Sequence, residues 1–371
     1  SGLLQLLADI KIIDDHTLQF IMSAPDMEFM DTLVDVNIAP NDPSIDHSTH
    51  PIGTGPFMFD GWERNQYVRL KKNESYFREG YPKVDVVEIR TIPDRNVKLL
   101  QLRNGQLDLI DSVPFNEAEA MNNDPNLQTA GVKEPTISHI IFMNNTREPF
   151  NNKQFRQAVS YAIDRELIED SMFGGFKATA SPIPESYEGY NPNVLTYDYD
   201  PEKAKRLLAE SGYNGKEVEL LFHQNVDPAY DMVAQYVEQM LKNIGVNVKL
   251  VGMEIANWIE KTYTQQQNDM AMTGVGPKPN NIDFLNHHYG KLHANGIQWG
   301  NQSWYDRLAA AKKELPERAI EIVRELHMEV MEEVPAVIVG RHIAIQGLRS
   351  NVQGFLAHPQ NALIFETVSV E

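Results

Sequence analysis

The chain has 371 residues, too many for one ordinary compact core, and its 42% hydrophobic and 23% charged residues are typical of a globular protein. The formal net charge of −19 disfavours nucleic acids and anionic lipid surfaces as partners, because both repel an acidic surface. The absence of cysteine excludes a disulfide framework, a thiolate zinc site and a cysteine nucleophile.

The first third of the chain predicts short strands and one capped helix. Apolar residues alternate within residues 10–23, which indicates a strand, and again over residues 57–70, which indicates a hairpin. A strand over residues 84–92 precedes a helix with Asp94 as its N-cap and Gly105 just beyond its end. A short strand over residues 107–110 follows. Strand, helix and strand in this order predict a parallel βαβ unit.

The rest of the chain repeats this alternation. A strand over residues 139–143 and a helix over residues 152–162 come first, and Asp200 with Pro201 then begins another helix. The clearest βαβ unit combines strand 217–222, helix 230–243 and strand 246–250. A long amphipathic helix over residues 317–334 ends before an extended segment, residues 336–345. The predicted fold class is therefore α/β, with two parallel-sheet regions divided near residue 135.

Motifs of known catalytic chemistry do not occur in the sequence. There is no G-x-S-x-G elbow, no H-E-x-x-H, no Walker A loop and no G-x-G-x-x-G. Gly53 and Gly55 resemble the start of a dinucleotide loop, but Pro56 follows and no helix begins there, so a tight turn is the better interpretation. No enzyme activity and no cofactor are predicted.

Several side chains are candidates for ligand binding. Asn144 and Asn145 follow a buried strand, and strand ends in α/β sheets are frequent ligand sites. Lys278 and Arg341 are candidates for an anion contact, and Trp299 for an apolar wall; a solvated charge and a core side chain are the alternatives. The histidines that could converge are His139, His287, His288, His293 and His342. Such clusters bind nickel, copper or zinc, although their spacing here discriminates weakly.

Several short stretches, in order, resemble motifs of the family 5 extracellular solute-binding proteins. They are PIGTGPF at 51–57, NESYF at 73–77, IPD at 92–94, NGQLD at 104–108, FMNN at 142–145, RQAVSYAIDR at 156–165 and DPEKAKRLL at 200–208. The resemblance extends over nearly the whole chain. It implies a periplasmic-binding-protein type II clamshell of mixed, mainly parallel sheets, which binds a solute between two lobes for an ABC importer.

The resemblance also implies a domain organisation. Residues 1–50 would be a remnant of an extra N-terminal domain, residues 51–135 with 336–371 the first lobe, and residues 136–335 the second lobe. The hinge segments would be residues 133–139 and 334–340. We expect a monomer outside the cytoplasm, with an ABC permease as partner, no nucleic acid, and a signal peptide or lipid anchor upstream of Ser1.

One loop departs from the peptide-binding members of the family. Where those members have a tryptophan and two aspartates, this chain has Gly274, Pro277 and Asn280. The first of those aspartates binds the peptide amine, so a free amine would lose a charge-assisted hydrogen bond worth about 1.5–3 kcal/mol. A sugar-like, anionic, metallophore or modified ligand becomes more plausible than an ordinary peptide.

The predicted ligand contacts are His139, Asn144, Asn145, Gly274, Pro277, Lys278, Asn280, Trp299 and Arg341. A peptide-like or other polar solute is the expected ligand. The alternative is a nickel or metal-chelate receptor of the same fold that uses His139, His287, His288 or His342. A hydrolase has no visible nucleophile–base pair to support it.

Overall fold

The computed structural model describes residue 4 and residues 6–26, 29–132, 137–172, 175–224, 228–278, 280–290, 296–358 and 362–371. Its strands are Leu7–Asp14 (β1), Thr17–Met22 (β2), Phe57–Glu63 (β3), Tyr67–Lys72 (β4), Val86–Arg90 (β5), Leu109–Ile110 (β6), Leu127–Ala130 (β7), Ile137–Met143 (β8), Phe176–Ala178 (β9), Val218–His223 (β10), Val248–Met253 (β11), Met270–Val275 (β12), Ala336–His342 (β13), Gln346–Arg349 (β14), Val352–Gln353 (β15) and Ser369–Val370 (β16).

The helices follow the same order along the chain. They are Phe29–Thr32 (α1), Arg95–Arg103 (α2), Phe115–Asn122 (α3), Lys153–Tyr161 (α4), Arg165–Ser171 (α5), Pro201–Glu210 (α6), Pro228–Asn243 (α7), Ile255–Ile259 (α8), Asn281–Tyr289 (α9), Gln302–Ala311 (α10) and Pro316–Glu333 (α11). A 3-10 turn, Leu33–Asp35, follows α1, and a π-helical turn, Glu260–Thr264, continues α8. None of the helices in the described residues has the length and apolar character needed to cross a bilayer.

Local capping explains where several helices begin. The side chains of Asp94, Asn152 and Asp200 accept backbone N–H donors from the first turns of α2, α4 and α6. Gly105 and Gly212 follow α2 and α6 with φ of 71° and 74°, the left-handed conformation that glycine adopts without steric cost. The sequence predicted the start of α2 from Asp94, its end from Gly105 and the start of α6 from Asp200.

The largest sheet described is six-stranded, in the order β11-β10-β12-β8-β13-β9. The β11–β10 and β10–β12 pairings are parallel, whereas β12–β8, β8–β13 and β13–β9 are antiparallel. The βαβ unit of β10, α7 and β11 is confirmed. The expectation of mainly parallel sheets is wrong, because β8 and β9 run opposite to their neighbours.

Helices cover both faces of this sheet. Along β8, Ile141 and Met143 pack into the core beneath α4, α6 and α7, while Ile140 and Phe142 pack into the core beneath α8 to α11. Strand residues point alternately to the two faces, so a sheet buried on both sides needs apolar residues at successive positions. The result is a helix–sheet–helix sandwich.

The remaining strands form smaller sheets with the orders β3-β4-β5, β6-β14-β7, β15-β16 and β1-β2. The parallel unit predicted from residues 84–110 is wrong, since β5 pairs antiparallel with β4 and β6 pairs antiparallel with β14. The partner of β6 comes from far along the chain, where a local pattern cannot reveal it. A cavity of about 610 Å³ lies between β5 and β6.

The chain passes between the large sheet and the β6-β14-β7 sheet at residues 343–345. β13 pairs with β8 and β9 through His342, and β14 begins at Gln346 in the other sheet. The predicted second hinge, residues 334–340, lies mostly inside the large sheet, and so does the start of the segment that was assigned to the first lobe. Of the predicted first hinge, residues 133–136 lie outside the described residues and residues 137–139 belong to β8.

Candidate functional site

One edge of the six-stranded sheet collects polar and aromatic side chains. The carboxyl ends of β10, β11, β12 and β13 meet there with the amino ends of β8 and β9, because the last two strands run in the opposite direction. We call this the crossover edge, since the chain leaves β13 here for the second sheet. His139 faces Gly274 on one side and Gly340 on the other, and Ser138 faces Val275 and Arg341.

Aromatic rings surround His139 on one face of this edge. Its Nε2 lies 2.7 Å from Nδ1 of His342, a hydrogen bond that needs a proton on one ring nitrogen and a lone pair on the other. The ring centroids of Tyr230 and Phe176 lie 5.0 and 5.7 Å from that of His139. Tyr230, in the first turn of α7, also contacts His223, the last residue of β10.

Gly274 is required for this arrangement. A Cβ at this position would lie 1.7 Å from the Tyr230 hydroxyl oxygen and 2.7 Å from its Cζ. The absence of a side chain therefore lets Tyr230 cover the end of β12. This gives a physical reason for glycine at a position where the family resemblance implies tryptophan in the peptide-binding members.

The residues after β12 continue along the crossover edge. The Tyr187 hydroxyl donates to the Lys278 carbonyl oxygen at 3.0 Å. Asn280 is the N-cap of α9: its side-chain oxygen accepts from the Asp283 N–H at 2.8 Å. Asn280 therefore has a structural role, and Pro277 and Lys278 remain half-buried at the edge.

Arg341 is buried on the other face of the edge, with 6% of its surface exposed. One terminal nitrogen of its guanidinium donates to the Ser181 and Pro182 carbonyl oxygens, at 2.8 and 3.0 Å. Burial lowers the pKa of Arg341 to about 10, partly offset by the charge of Glu185. The side chain therefore stays cationic at neutral pH.

Asn144 and Asn145 lie at the opposite edge of the sheet. β8 runs antiparallel to β12, so its carboxyl end is far from the carboxyl ends of β10 and β12. The Asn145 amide nitrogen donates to the Met143, Ile297 and Pro335 carbonyl oxygens at 2.7–2.9 Å. The hydrogen bonds of the two asparagines connect the segments that meet at this opposite edge. The structure does not bring either asparagine near His139.

Trp299 also lies away from the crossover edge. It follows Ile297, whose carbonyl oxygen accepts from Asn145, and its ring packs 5.5 Å from that of Trp304 in a buried cluster. Its exposed fraction is 9%. Trp299 is therefore a core side chain in this structure.

The predicted histidine cluster is only partly assembled. His288 is buried beside Phe284, whose carbonyl oxygen accepts from its Nδ1 at 2.7 Å. The pKa of His287 falls to about 4 through burial and through the nearby charge of Lys278, against the opposing effect of Asp283. His293 lies outside the described residues. Among the residues that are described, no group of three or more histidine, cysteine, aspartate or glutamate side chains could hold a metal ion.

Sequence reasoning missed Ser138, Tyr187, His223 and Tyr230. His223 ends a strand and Tyr230 lies in the first turn of the following helix, which is the strand-end signal that was applied instead to Asn144. Burial lowers the pKa of His223 to about 4, so its ring is neutral at physiological pH. The direction of each strand decides which ends share an edge, and the sequence does not show that direction.

The 610 Å³ cavity between β5 and β6 is a separate feature. Its walls include Val87, Ile89, Leu107 and Phe365. None of the predicted ligand contacts lines it.

Comparison with known proteins is consistent with this architecture. The chain is 24% identical over 383 residues to the glutathione-binding protein GsiB of Salmonella paratyphi A, covering 98% of this chain and 74% of that protein. It is similar to the periplasmic-type protein AgaA of A. tumefaciens R10, solved with agropinic acid, at 26% identity and a TM-score of 0.83, covering 99% of this chain and 78% of that one.

A third similarity concerns the fold alone. NikA of Staphylococcus aureus, solved with Ni(L-His)2, has a TM-score of 0.87 at 21% identity, covering 100% of this chain and 80% of that chain. These structures confirm the α/β class and the type II binding-protein fold with a mixed sheet. The relatives are periplasmic or extracellular binding proteins, not enzymes.

The family model for bacterial extracellular solute-binding proteins, family 5 Middle, matches residues 2–296. Proteins of this kind capture a ligand for an ABC importer and catalyse no reaction. The match covers most of the chain, and the motifs quoted above lie within it. The chain belongs to the family 5 bacterial extracellular solute-binding proteins.

Proposed function

We propose that the chain binds one small polar solute at the crossover edge, between two lobes, and presents it to the permease of an ABC importer. The observation that supports this site is the cross-strand register. Gly274, His139 and Gly340 are neighbours there, and so are Val275, Ser138 and Arg341. Residues separated by up to about two hundred positions thus meet where the chain crosses between sheets.

The proposed lobes follow the sheets. One lobe contains the six-stranded sheet, residues 137–342, and the other contains residues 51–132 and 346–371. Two backbone hydrogen bonds flank the connection between them: Ile343 N–H donates to the Gly175 carbonyl at 3.0 Å, and Val113 N–H donates to the Ile345 carbonyl at 2.7 Å. The β1-β2 hairpin, with Ile12 78% exposed, remains our proposed remnant of the extra domain.

An ion pair supports closure of the two lobes on a ligand. Arg95, at the start of α2, lies 3.0 Å from Asp231 in the first turn of α7, and both side chains are about three-quarters buried. A partly exposed pair of this kind contributes roughly 0.2–1 kcal/mol, a few-fold change in the population of the closed arrangement. A ligand that touches both lobes would supply the larger bias.

The ligand class is narrowed by the loop after β12. The aspartate that binds a peptide amine is replaced by Pro277, so ordinary peptides are the less favoured ligands. GsiB is named for glutathione and AgaA was solved with agropinic acid, and both compounds are candidates to test. A polar solute other than a simple peptide fits the crossover edge best.

A metal-chelate ligand is the second candidate, and the pair of His139 and His342 is the observation that favours it. Two imidazoles whose facing nitrogens lie 2.7 Å apart at the proposed site could hydrogen-bond to the ligands of a nickel complex. Native mass spectrometry distinguishes the two candidates. A co-purified mass that contains nickel would support the second candidate, and no stabilisation by Ni²⁺ with L-histidine would eliminate it.

The proposed function is tested with a matched pair of tyrosine variants. Freshly purified protein is examined by native mass spectrometry, and a panel of glutathione, agropinic acid, a tetrapeptide and Ni²⁺ with L-histidine is screened by thermal shift. For the solute that binds, Tyr230→Phe at the crossover edge is expected to weaken binding about threefold to tenfold, the loss of one hydrogen bond. Tyr236→Phe removes the same atom on the same helix, where it bonds Ser171, and should leave affinity unchanged.

Two results would contradict the proposal. The first is that no solute binds or co-purifies. The second is a combination of two observations. The solute binds Tyr230→Phe and Tyr236→Phe with the same affinity, and small-angle scattering shows no compaction of the protein when the solute is added. A monomer and a membrane anchor upstream of Ser1 stay predictions, to be checked by light scattering and by membrane fractionation of the full gene product.

A further inference from the structure

Arg341 is a buried cation that has no acidic partner among the described residues. Its salt-bridge distance to any carboxylate exceeds 4.0 Å within the described part of the chain, and Glu185, the acid whose charge it senses, is exposed. Burying a charge without a counter-ion is strongly unfavourable, because the charge loses its hydration and gains no opposite charge in return. The chain has 52 acidic side chains, and none of those in the described residues forms an ion pair with Arg341.

Two buried hydrogen-bond donors at this place have no acceptor among the described residues: one belongs to Arg341 and the other to its neighbour Ser138. Ser138 is its cross-strand neighbour on β8, with the two Cα atoms paired in the sheet. The Ser138 hydroxyl and Arg341 Nε are both buried, and neither has a hydrogen-bond partner among the described residues. Both groups can donate hydrogen bonds, and buried donors are rarely left without an acceptor.

A further cation lies on the same edge. Tyr187 lies near both residues: its hydroxyl donates to the Lys278 carbonyl oxygen, and the positive charge of Arg341 acts on the same hydroxyl. Lys278 has no ion pair in the described residues, and its charge is felt at His287. The Arg341 guanidinium and the Ser138 hydroxyl are therefore neighbours at this edge, and the backbone of Lys278 is held along it through Tyr187.

From this geometry we infer that the transported solute carries an anionic group, a carboxylate or its equivalent, which Arg341 and Ser138 bind at the crossover edge. The inference rests on the proposed solute-binding function and adds the charge of the ligand to it. Arginine is suited to the role because its planar donors match a carboxylate, and Nε is the donor that the backbone carbonyls leave unused. Lys278 would add attraction from the rim.

Formate is the probe, because it is the smallest carboxylate and does not require the natural ligand to be known. Formamide is its neutral isostere, and sodium chloride controls for ionic strength. With three heavy atoms, formate is expected to bind with a dissociation constant of about 10 mM or weaker, so the titration runs to about 100 mM. We expect a saturable rise in Tm of about 2 °C with formate alone.

Four variants locate the response. Arg341→Met should abolish the formate-specific rise, and Ser138→Ala should weaken formate binding about threefold to tenfold. Arg341→Lys keeps the positive charge and should retain part of the response to formate. If it does, loss of the response in Arg341→Met is explained by the lost charge and not by misfolding. Arg64→Met, an exposed arginine on the β3–β4 turn, should behave as the wild type.

Each outcome decides between distinct conclusions. An equal response to formate in the wild type and in Arg341→Met, or no formate-specific response at all, overturns the anionic subsite and leaves a water molecule as the partner of these donors. If a solute from the panel binds the wild type and Arg341→Met with equal affinity, and formate gives no specific response, the inference fails while the proposed function stands. If formate binds at Arg341 and no larger solute binds, the proposed function fails while the subsite stands.

Discussion

His327 provides a test of how well the buried polar contacts of α11 are understood. Its Nδ1 accepts the Asn191 backbone N–H at 3.2 Å, so that nitrogen must carry a lone pair. Its Nε2 lies 3.0 Å from the Ser181 hydroxyl, which itself donates to the Ile183 carbonyl at 2.7 Å. The network therefore requires a neutral ring with its hydrogen on Nε2.

Acid should break this network. Burial, together with the positive charge of Arg341, lowers the pKa of His327 from 6.5 to about 4. The unfolded chain therefore takes up a proton as the pH falls below 6.5, whereas the folded chain does so only near pH 4. The stability that comes from His327 is complete above pH 6.5 and is lost as the pH falls towards 4. The linkage relation gives a loss of about 2.5 kcal/mol between pH 7.5 and 4.5.

The measurement is the free energy of unfolding in urea at several pH values between 7.5 and 4.5. His327→Gln can keep one acceptor and one donor but cannot take up a proton, so its stability should fall about 2.5 kcal/mol less than that of the wild type. His223 and His287, whose pKa values are also lowered to about 4, keep part of the slope in both proteins. His47→Gln, at an exposed histidine, is the control and should retain the full slope. Parallel pH profiles for the wild type and His327→Gln would refute the reasoning.

Two further substitutions test the packing around the site. Arg165 is buried and donates to the Ser160, Ile163, Tyr197 and Ile338 carbonyl oxygens, so Arg165→Leu should lower the free energy of unfolding by about 4 kcal/mol in urea, whereas Arg64→Leu should change it little. A small effect of Arg165→Leu would mean that these carbonyls find other donors. Gly274→Ala should cost about 1–3 kcal/mol, because the added Cβ meets the Tyr230 hydroxyl oxygen, and Tyr230→Phe in the same chain should restore part of the loss. Gly276→Ala has open space around it and is the matched control; an equal loss at both glycines would show that the contact with Tyr230 is not the cause.

Local chemistry made much of the secondary structure predictable. Asp94, Asn152 and Asp200 begin helices because their side chains bond the N–H groups of the first turn, a contact made within three residues. The β10–α7–β11 unit was predicted from the spacing of apolar residues alone, because a strand pattern, a helix pattern and a second strand pattern follow one another directly along the chain. Most of the family motifs are likewise short, because they mark the starts of helices and tight turns, which are determined by residues close together in the chain.

The location of the binding site was predictable only in part. His139, Gly274 and Arg341 meet at one edge, but Asn144 and Asn145 follow the same strand as His139 and lie at its other end. Asn144 and Asn145 were assigned by the rule that ligands lie at strand ends, and the rule fails for β8 because that strand runs opposite to β10 and β12. Strand direction depends on pairing between residues more than a hundred positions apart.

Residue order alone was enough to predict the α/β class and the family, because the alternation of elements and the family motifs are read along the chain. The tertiary structure decided which ends of the strands share an edge and where the chain crosses between sheets. The fold also buries Arg341 beside Ser138, with no acid in reach among the described residues. Charge compensation depends on distances between side chains that only packing sets, so a cation that is one of 33 basic residues in the sequence becomes, in the fold, a candidate anion site.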